Sequence, residues 1–588
     1  MQLNSGFEYW CALLIGYKMT TCKIQKVGLV DYEKSIALLF SFIVFANLFC
    51  PESSQAQTII NSHNSTPTFF VPTPGLATAI ENRKTREDRD IQSSSFTLSD
   101  RPIKIKNIQV SGNTLFETEI ERLTEAFRGK STTLSELYEL RASISKIYTD
   151  NGYLNSGAYL PPQKIQNGIV QIEVLEGGIE TIEVTGNKHL RERYIASRLQ
   201  SLPTPIKTEQ LLERLQLLRL DPLIENISAE LSAGLTPGMS RLDIKVKEAE
   251  TFTLSSSLNN HKSPSIGSNS RNIGIAHVNL LGLGDTAQLN YTNTEGSDEL
   301  DIGYAFPINA KNGTISLAYG FNSNDIVENP FTPLDIETKS DYYELTLRQP
   351  IIYHPNREIA LGLSFSRQHS ETSLLNSPFP LSIGADESGN TNISTLRFFQ
   401  EFTQRSDKSV WAMRSQFSLG VDLFDATIND NAPDSSFLAW RGQSKWVRQL
   451  DDDFLFLVRG DIQLADNLVP LEQFRLGGST NVRGYRRDIS LSDSGIFASA
   501  ELRTPVLRIN KLDGVVQLVP FFDLGLPWGG DNATVDVDFL VALGMGLNFS
   551  AGERFNARLD YGIPLTNTKV DGDSLQENGL TFSLGYGF

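Results

Sequence analysis

The sequence predicts a transmembrane β-barrel of about sixteen antiparallel strands, preceded by two small α+β domains. Three observations lead to this fold class. An apolar segment near the N-terminus has the features of a secretory signal, and a six-residue motif recurs after 74 residues with the same order of elements behind it. Residues 250–588 lack helical periodicity and instead alternate apolar with polar residues. Together these features indicate an exported protein whose C-terminal part crosses a membrane.

Residues 1–56 are predicted to be a signal peptide. The apolar run Ser35–Cys50 follows Lys34 and precedes Ser54 and Ala56, two small residues that suit a cleavage site after Ala56. The run is short for a membrane span, and Pro51 ends it. A single membrane anchor is the alternative.

Residues 57–101 are predicted to be a linker, because they are rich in Ser, Thr, Asn and Pro. Within them, Pro74–Asp88 would place Leu76 and Ile80 on one side of a short helix, which is a candidate plug for the barrel. The alternative interpretation of this segment is a disordered tether.

Residues 102–177 and 178–249 form an internal repeat. Ile108–Asn113 (IQVSGN) recurs as Ile182–Asn187 (IEVTGN), and each copy is followed by two amphipathic helical segments and two strand-like segments. Both copies therefore have the order β-α-α-β-β. Units of roughly 75 residues are large enough to fold as small domains, so the repeat predicts two tandem domains.

Residues 250–588 are predicted to form the barrel. Segments of about ten residues carry aliphatic or aromatic side chains on one face and small uncharged ones on the other, as in Ile315–Phe321 and Leu580–Phe588. A soluble sandwich or propeller, the alternative, would expose a charged face. The sixteen predicted strands are 251–259, 271–280, 284–294, 298–306, 312–321, 340–350, 357–369, 392–403, 409–422, 435–449, 453–465, 494–505, 514–525, 536–548, 554–563 and 579–588.

Composition and motifs exclude most other chemistry. The formal net charge of −17 gives no basic surplus for nucleic acid. All three cysteines lie in the signal segment and the six histidines have no metal-binding spacing, so no metal, cofactor or catalytic residue is predicted. Gly478–Gly484 is not a phosphate loop, because no Lys-Ser/Thr follows it. We therefore expect a protein that is not an enzyme.

Several motifs resemble those of one family of transport proteins. They are Gly477–Tyr485 (GGSTNVRGY), Phe522–Gly525 (FDLG), Tyr159–Gln163 (YLPPQ) in the first repeat, and the terminal Phe588. These motifs are similar to those of the two-partner secretion transporters, the haemolysin activation/secretion family within the superfamily of outer-membrane assembly barrels. The resemblance covers roughly residues 100–588. It implies two periplasmic POTRA domains and a sixteen-stranded barrel that exports one large partner protein, β-helical when folded.

The resemblance also implies roles for three groups of residues. The transport loop motif comprises Val482, Arg483, Gly484 and Tyr485. The lumen partner motif comprises Phe522, Asp523, Leu524 and Gly525. The signal for barrel assembly comprises Leu584, Tyr586 and Phe588.

The residues themselves suggest how the first two motifs meet. Arg483 lies in a long loop, predicted between Ala465 and Leu491, and the glycines of the motif permit sharp turns. Asp523 shares an alternate face with Gln517, so it should point into the lumen, where the guanidinium of an inward-folded loop could contact it at two points. Two unrelated polar residues in a wet pore are the alternative.

We therefore expect an outer-membrane transporter that binds an unfolded exoprotein through its periplasmic domains and passes it to the cell surface. The other expected partners are the barrel-assembly machinery and outer-membrane lipid. Two alternatives stay open at this point. An assembly insertase of the same superfamily would share the loop motif, and a porin-like uptake channel would not need the repeats.

Overall fold

The computed structural model describes residues 102–200, 202–430, 433–529, 538–568 and 572–588. The predicted signal peptide, linker and plug helix lie outside these residues. In the described part of the chain, no helix is both long enough and apolar enough to cross a membrane.

The first repeat is a three-stranded sheet packed against two helices. The sheet order is β2-β5-β4, with β2 parallel and β4 antiparallel to β5. A short pair of strands, β1 and β3, adds to the predicted order of elements. The elements are β1 (Ile103–Lys104), β2 (Asn107–Ser111), α1 (Glu117–Glu125), β3 (Ser131–Thr132), α2 (Leu134–Asp150), β4 (Gly157–Tyr159) and β5 (Ile169–Leu175).

Helix α2 supplies most of the core of the first repeat. It begins with a capping box, in which the Thr133 hydroxyl accepts from the Glu136 N–H and the Glu136 carboxylate accepts from the Thr133 N–H. Its buried residues recur every three or four positions, so a single face of the helix covers the sheet. These residues are Leu137, Leu140, Ile144 and Tyr148.

The second repeat has the same order of helices and strands without the additional pair. Its sheet order is β6-β8-β7, and Ile195, Leu218 and Ile244 belong to its buried core. Both repeats therefore fold with the order β-α-α-β-β that the sequence pattern predicts. The elements are β6 (Gly178–Thr185), α3 (Glu192–Leu199), α4 (Thr208–Arg219), β7 (Ile224–Ala233) and β8 (Met239–Glu248).

The glycine of the repeated motif has a steric role. Gly112 and Gly186 have φ angles of 83° and 85°. A Cβ on Gly112 would lie 2.3 Å from the Val174 carbonyl oxygen, and one on Gly186 would lie 2.2 Å from that of Val246. Only glycine satisfies both the positive φ and the close approach. The recurrence of this motif therefore reflects the same tight turn in both domains.

A carboxylate holds the turn in each repeat. Glu176 accepts hydrogen bonds from the Thr114 and Leu115 N–H groups at 2.7 and 3.0 Å. At the corresponding place in the second repeat, Glu248 accepts from the N–H groups of Lys188 and Leu190 at 2.6 and 2.8 Å. Burial alone would raise the pKa of Glu176, but the hydrogen bonds from Thr114 and from the Tyr148 hydroxyl lower it below the ordinary value.

Sixteen antiparallel strands close the barrel, as the alternating pattern predicts. A two-residue strand, β16 (Ser377–Pro378), pairs at one rim, and β21 (Phe474–Leu476) pairs with β22 (Ser490–Ser492) inside a loop. The barrel strands are β9 (Phe252–Asn259), β10 (Ser270–Val278), β11 (Thr286–Asn293), β12 (Ser297–Pro307), β13 (Thr314–Asp325), β14 (Ile336–His354), β15 (Arg357–Leu374), β17 (Asn390–Ser406), β18 (Ser409–Gly420), β19 (Leu438–Asp451), β20 (Phe454–Ala465), β23 (Ser494–Ile509), β24 (Gly514–Trp528), β25 (Leu540–Ala551), β26 (Phe555–Pro564) and β27 (Leu580–Gly587).

The barrel strands place apolar residues outside and polar residues inside. In β13, Leu317 and Phe321 are exposed on the outer surface, as their alternation predicts. In β15, Ser364 and Ser366 are buried toward the lumen. Because the strand number is even, the chain enters and leaves the barrel on the side of the repeats, and the loops on the other side are called outer loops here.

The seam between the first and last strands is short. Strands β9 and β27 pair from Ser583 opposite Asn259 to Gly587 opposite Ser255. Beyond that pairing, the buried Asn260 side chain donates to the Leu580 carbonyl at 2.9 Å and accepts from the Phe582 N–H at 2.7 Å. The side-chain amide of Asn260 thus makes the hydrogen bonds to β27 that a main-chain peptide group would make in a longer strand pairing.

The second repeat contacts the inner turns of the barrel directly. The Arg191 N–H donates to the Gly282 carbonyl at 3.0 Å, and the Arg198 guanidinium donates to the Asn312 side chain at 2.7 Å. Glu213 of α4 pairs with His354 at the end of β14. These contacts fix the second repeat against the barrel entrance.

We predict that Glu176→Gln destabilises the first repeat by about 1 kcal/mol at pH 7, because the turn loses a charged acceptor. Since folding lowers the pKa of Glu176 below its usual 4.5, its contribution is present above that pH and is lost as the pH falls through the folded pKa. Urea unfolding of residues 102–249 should therefore show a difference between wild type and variant that shrinks toward acidic pH. A difference independent of pH would contradict this account.

Candidate transport site in the barrel lumen

The sixth outer loop folds back into the barrel. It runs from the end of β20 at Ala465 to the start of β23 at Ser494, slightly longer than the sequence predicts. Strands β21 and β22 pair with each other within the loop, and residues 477–489 between them extend into the lumen. Val482, Arg483 and Tyr485 are buried as a result.

Arg483 is the largest fully buried side chain in the described chain. Its Nε donates to Asp523 Oδ2 at 2.7 Å and its Nη2 donates to Asp523 Oδ1 at 2.8 Å, which is a two-point contact. Nη1 donates to Glu501 at 2.8 Å, and the guanidinium carbon lies 3.5 Å from the centre of the Phe521 ring. The structure thus brings Arg483 together with Asp523, and it adds a second carboxylate and an aromatic ring.

The wall around Arg483 is a network of charges on neighbouring strands. Glu501 of β23 accepts from Arg483, from Arg503 at 2.7 Å and from Arg558 at 2.7 Å. Arg558 also donates to Asp560 at 2.8 Å. Because an unpaired buried charge costs several kcal/mol, each of these contacts depends on its neighbours.

The other residues of the loop motif fix the backbone of the loop. The Tyr485 hydroxyl donates to the Val541 carbonyl at 2.8 Å. Gly484 has a φ of 92°, and its backbone lies against that of Gly562 on β26. A Cβ added to Gly562 would come within 2.5 Å of the Gly484 nitrogen. Val482 packs against Gly525, where a Cβ would come within 2.8 Å of the valine side chain.

The following residues tie the loop to two other outer loops. Arg486 contacts Glu328 at two points, both 2.9 Å, and Glu577 at 2.8 Å. The Arg487 N–H donates to the Gln576 side chain at 2.9 Å. Gln576 in turn donates to the Asn260 carbonyl beside the seam. The sixth loop is therefore held both by the wall and by loops that flank the seam.

The remaining predicted residues lie on the outer surface. Phe522 is exposed there, opposite in direction to the fully buried Asp523, and Leu524 lies on the same outer face. Leu584, Tyr586 and Phe588 also face outward along the last strand. Their role as an assembly signal stays a prediction.

Sequence reasoning missed Glu501, Arg503, Arg558 and Asp560. A signal for them exists, because each pair is separated by two positions on one strand and so shares a face. Charged residues at inward positions of adjacent strands would have suggested a charged wall. Which of these residues lie beside Arg483 depends on the order of the strands in the barrel. No local sequence pattern specifies that order. Within the described residues, no cluster of three or more His, Cys, Asp or Glu could hold a metal ion.

A closed barrel with an inward loop and N-terminal α+β domains defines an outer-membrane transport barrel. The chain belongs to the haemolysin secretion/activation protein ShlB/FhaC/HecB family, whose family model matches residues 238–549. The model of the ShlB-type POTRA domain matches residues 103–177. The protein is accordingly a two-partner secretion transporter, with its barrel in the outer membrane and its N-terminal repeats in the periplasm.

Known relatives and structures agree with this assignment. The chain is 25% identical to the heme/hemopexin transporter protein HuxB of Haemophilus influenzae (strain 86-028NP), over 78% of this chain and 82% of that protein. It is 22% identical to the outer membrane transporter CdiB of Dickeya dadantii (strain 3937), over 73% and 76%. The solved structure of CdiB from Escherichia coli has the same fold, with a TM-score of 0.62 at 18% identity, covering 96% of this chain and 100% of that one.

We predict that Arg483→Ala and Asp523→Ala each sharply reduce export of a co-expressed partner while the barrel still folds. The double variant should be little worse than either single one, because both changes release the same contact. Arg483→Lys should also be impaired, since a lysine cannot reproduce the planar two-point contact. Secreted partner and heat-modifiability on gels provide the measurements. Additive defects in the alanine cycle would rule out coupling between the two residues.

We predict that Gly562→Ala reduces export, because a methyl group there would displace the Gly484 backbone. Gly585→Ala on β27 is the matched control, since its nearest neighbour is the Asn556 carbonyl oxygen at 4.0 Å. Protease sensitivity of the sixth loop should rise in the first variant only. Equal behaviour of the two variants would argue against a steric contact between loop and wall.

Proposed function

We propose that the periplasmic repeats recognise an unfolded partner exoprotein and that the barrel passes it to the cell surface. The observation that carries this proposal is the free edge of the second repeat, next to the barrel entrance. Strand β7 is ten residues long and has β8 as its sole strand partner in the described chain. Its outer N–H and C=O groups can pair with an added strand.

Exposed apolar residues near this edge support recognition of an unfolded chain. Leu231 on β7 is 44% exposed and Leu235, just beyond it, is 98% exposed. An extended segment added to β7 would gain main-chain hydrogen bonds and could place alternate apolar side chains on these leucines. A polypeptide with a β-helical folded state consists largely of segments that favour this conformation.

The loop in the lumen supports a regulated passage rather than an open pore. Its guanidinium is neutralised by the wall, so the wall holds the loop tip at one place in the lumen. We propose that export depends on this docked contact and that the protein acts through binding and conduction, without enzymatic chemistry or a cofactor. A porin-like channel would need neither the repeats nor the buried loop contact.

Two further partners are part of the proposal. The outward apolar residues of the strands support contact with outer-membrane lipid. The aromatic end of β27, with Tyr586 and Phe588 in edge contact at 4.6 Å between ring centres, supports recognition by the barrel-assembly machinery during biogenesis.

We predict that deletion of residues 102–176 abolishes export while the barrel still assembles, because the first repeat has its own core. Heat-modifiability reports assembly, and partner protein in the medium reports export. Wild-type export after the deletion would favour an uptake channel over a transporter that needs its periplasmic domains.

We predict that a photo-crosslinking residue at Leu231 captures the partner in transit. Leu220, which is 39% exposed at the end of α4, is the matched control and should capture little. Equal capture at both positions would contradict strand addition at β7.

A further inference from the structure

We propose that the turn between β10 and β11, together with a basic segment of the second repeat, is a docking surface for the periplasmic leaflet of the outer membrane. The occupant is lipid with anionic headgroups. The leucine turn comprises residues 279–285, and the basic segment comprises residues 188–193. The proposal requires only the barrel in its membrane and the second repeat beneath it, so it does not depend on the proposed transport mechanism.

The leucine turn exposes three large apolar side chains at the inner rim of the barrel. Leu280, Leu281 and Leu283 are 52%, 55% and 41% exposed. Contiguous apolar surface of this kind usually marks contact with a membrane or with another protein. The inner turns that follow β17 and β19 are polar instead, with Asp407–Lys408 and Asp452–Asp453 at their tips. The three leucines are therefore not a general property of the inner turns.

The leucine turn continues the lipid-facing surface of the barrel. Ile275 of β10 is opposite Leu289 of β11 in the strand pairing, and both are exposed on the outer face. The Asp285 carboxylate of the turn accepts from the Tyr304 hydroxyl at 2.9 Å. Tyr304 shares the outer face of β12 with the exposed Ile302, because residues two positions apart on a strand point the same way. The turn thus lies at the inner border of the surface that contacts lipid.

Hydrogen bonds within the leucine turn fix its backbone. Asp285 accepts from the Leu281 N–H at 3.0 Å, and the Asn279 side chain accepts from the Gly284 N–H at 3.0 Å. Asn279 has a φ of 71°, a conformation that asparagine tolerates better than most residues. Because the turn is already ordered, the leucines would enter a lipid interface with little further loss of conformational entropy.

The basic segment lies directly beside the leucine turn. In addition to the hydrogen bond from the Arg191 N–H to the Gly282 carbonyl, a Cβ on Gly282 would lie 2.6 Å from the His189 carbonyl oxygen. A Cβ on Gly284 would lie 2.2 Å from the ring of Tyr194. Glycine at both positions permits this close approach. The contacts fix the basic segment next to the three leucines.

The basic segment carries a positive charge. With Glu192 as its acid and His189 counted as neutral, its formal charge is three minus one, or +2. The Glu248 carboxylate is largely buried and already accepts from the main chain of the segment. Among the described residues, none of the three basic side chains makes an ion pair with a carboxylate. These exposed basic residues are Lys188, Arg191 and Arg193.

The two features together favour lipid over other occupants. Binding at a membrane interface grows with the apolar area that enters it and with attraction between basic residues and anionic headgroups. The leucine turn supplies the apolar area, and the basic segment supplies the charge on its periplasmic side. A polypeptide in transit is the alternative occupant, and the test below distinguishes it from lipid.

The test is fluorescence quenching of the purified chain in lipid vesicles. All three cysteines precede residue 57, so the chain from that residue onward can carry a label at one introduced cysteine. Lipid with a spin label on its acyl chain should quench a label at Leu281→Cys about threefold more than a label at Leu154→Cys, because only the former enters the lipid interface. Leu154 of the first repeat is the matched control, since it is 51% exposed.

A label at His189→Cys reports on the basic segment. Lipid with a spin-labelled headgroup should quench it about fivefold more in vesicles that contain phosphatidylglycerol than in vesicles of phosphatidylcholine. High salt should remove this difference, because it screens exposed charges. The combined substitutions Lys188→Gln, Arg191→Gln and Arg193→Gln should remove it as well.

The matched control for charge is a triple variant of the first repeat. The substitutions Arg122→Gln, Lys130→Gln and Lys146→Gln change exposed residues and remove the same net charge from the chain. They should leave the quenching at position 189 unchanged. Heat-modifiability shows that the barrel is folded in every variant that is compared.

Three results would overturn the proposal. The first is equal quenching of the labels at Leu281 and Leu154. The second is quenching at His189 that depends neither on lipid charge nor on the three basic residues beside it. The third is a residue at position 281 that is shielded from lipid but crosslinks to a co-expressed partner, which would assign the leucine turn to the transport path.

Discussion

The buried charge of Arg483 is the constraint on which the rest of the lumen depends. A guanidinium at this depth is stable only if carboxylates neutralise it, because an uncompensated buried charge costs several kcal/mol. Asp523 and Glu501 lie on adjacent strands, so the loop finds both partners in one position. Docking is consequently close to all-or-none. A loop that is displaced by a few ångströms breaks the ion pair of Arg483 with Asp523, whereas Glu501 keeps Arg503 and Arg558.

Two mechanical supports surround this interaction. On the outer side, Arg486 and Gln576 connect the loop to segments beside the seam, where Asn260 completes a short strand pairing. On the inner side, the second repeat contacts the barrel turns through Arg198 and Glu213. These contacts hold the loop on the outer side of the barrel and the second repeat on its inner side.

Net charge hides how the charges are distributed. The chain carries a formal charge of −17, yet the described residues that line the cavity beneath the sixth loop include five arginine and lysine residues and only two carboxylates. A low-dielectric barrel wall focuses the field of the charged side chains that line it. The surplus acids lie elsewhere on the chain, and total composition does not report on the pore.

The sequence by itself determined the repeat, the order of elements in each domain, the number of barrel strands and the direction of Asp523, because these follow from periodicity and from alternation along single strands. It also identified Arg483 and Asp523 as partners. Only the tertiary structure decided the rest of the site. Strand register decides the convergence of Glu501, Arg558 and Asp560, and it also decides the backbone contact of Gly484 with Gly562. Register arises from pairing between distant segments, which no local pattern specifies.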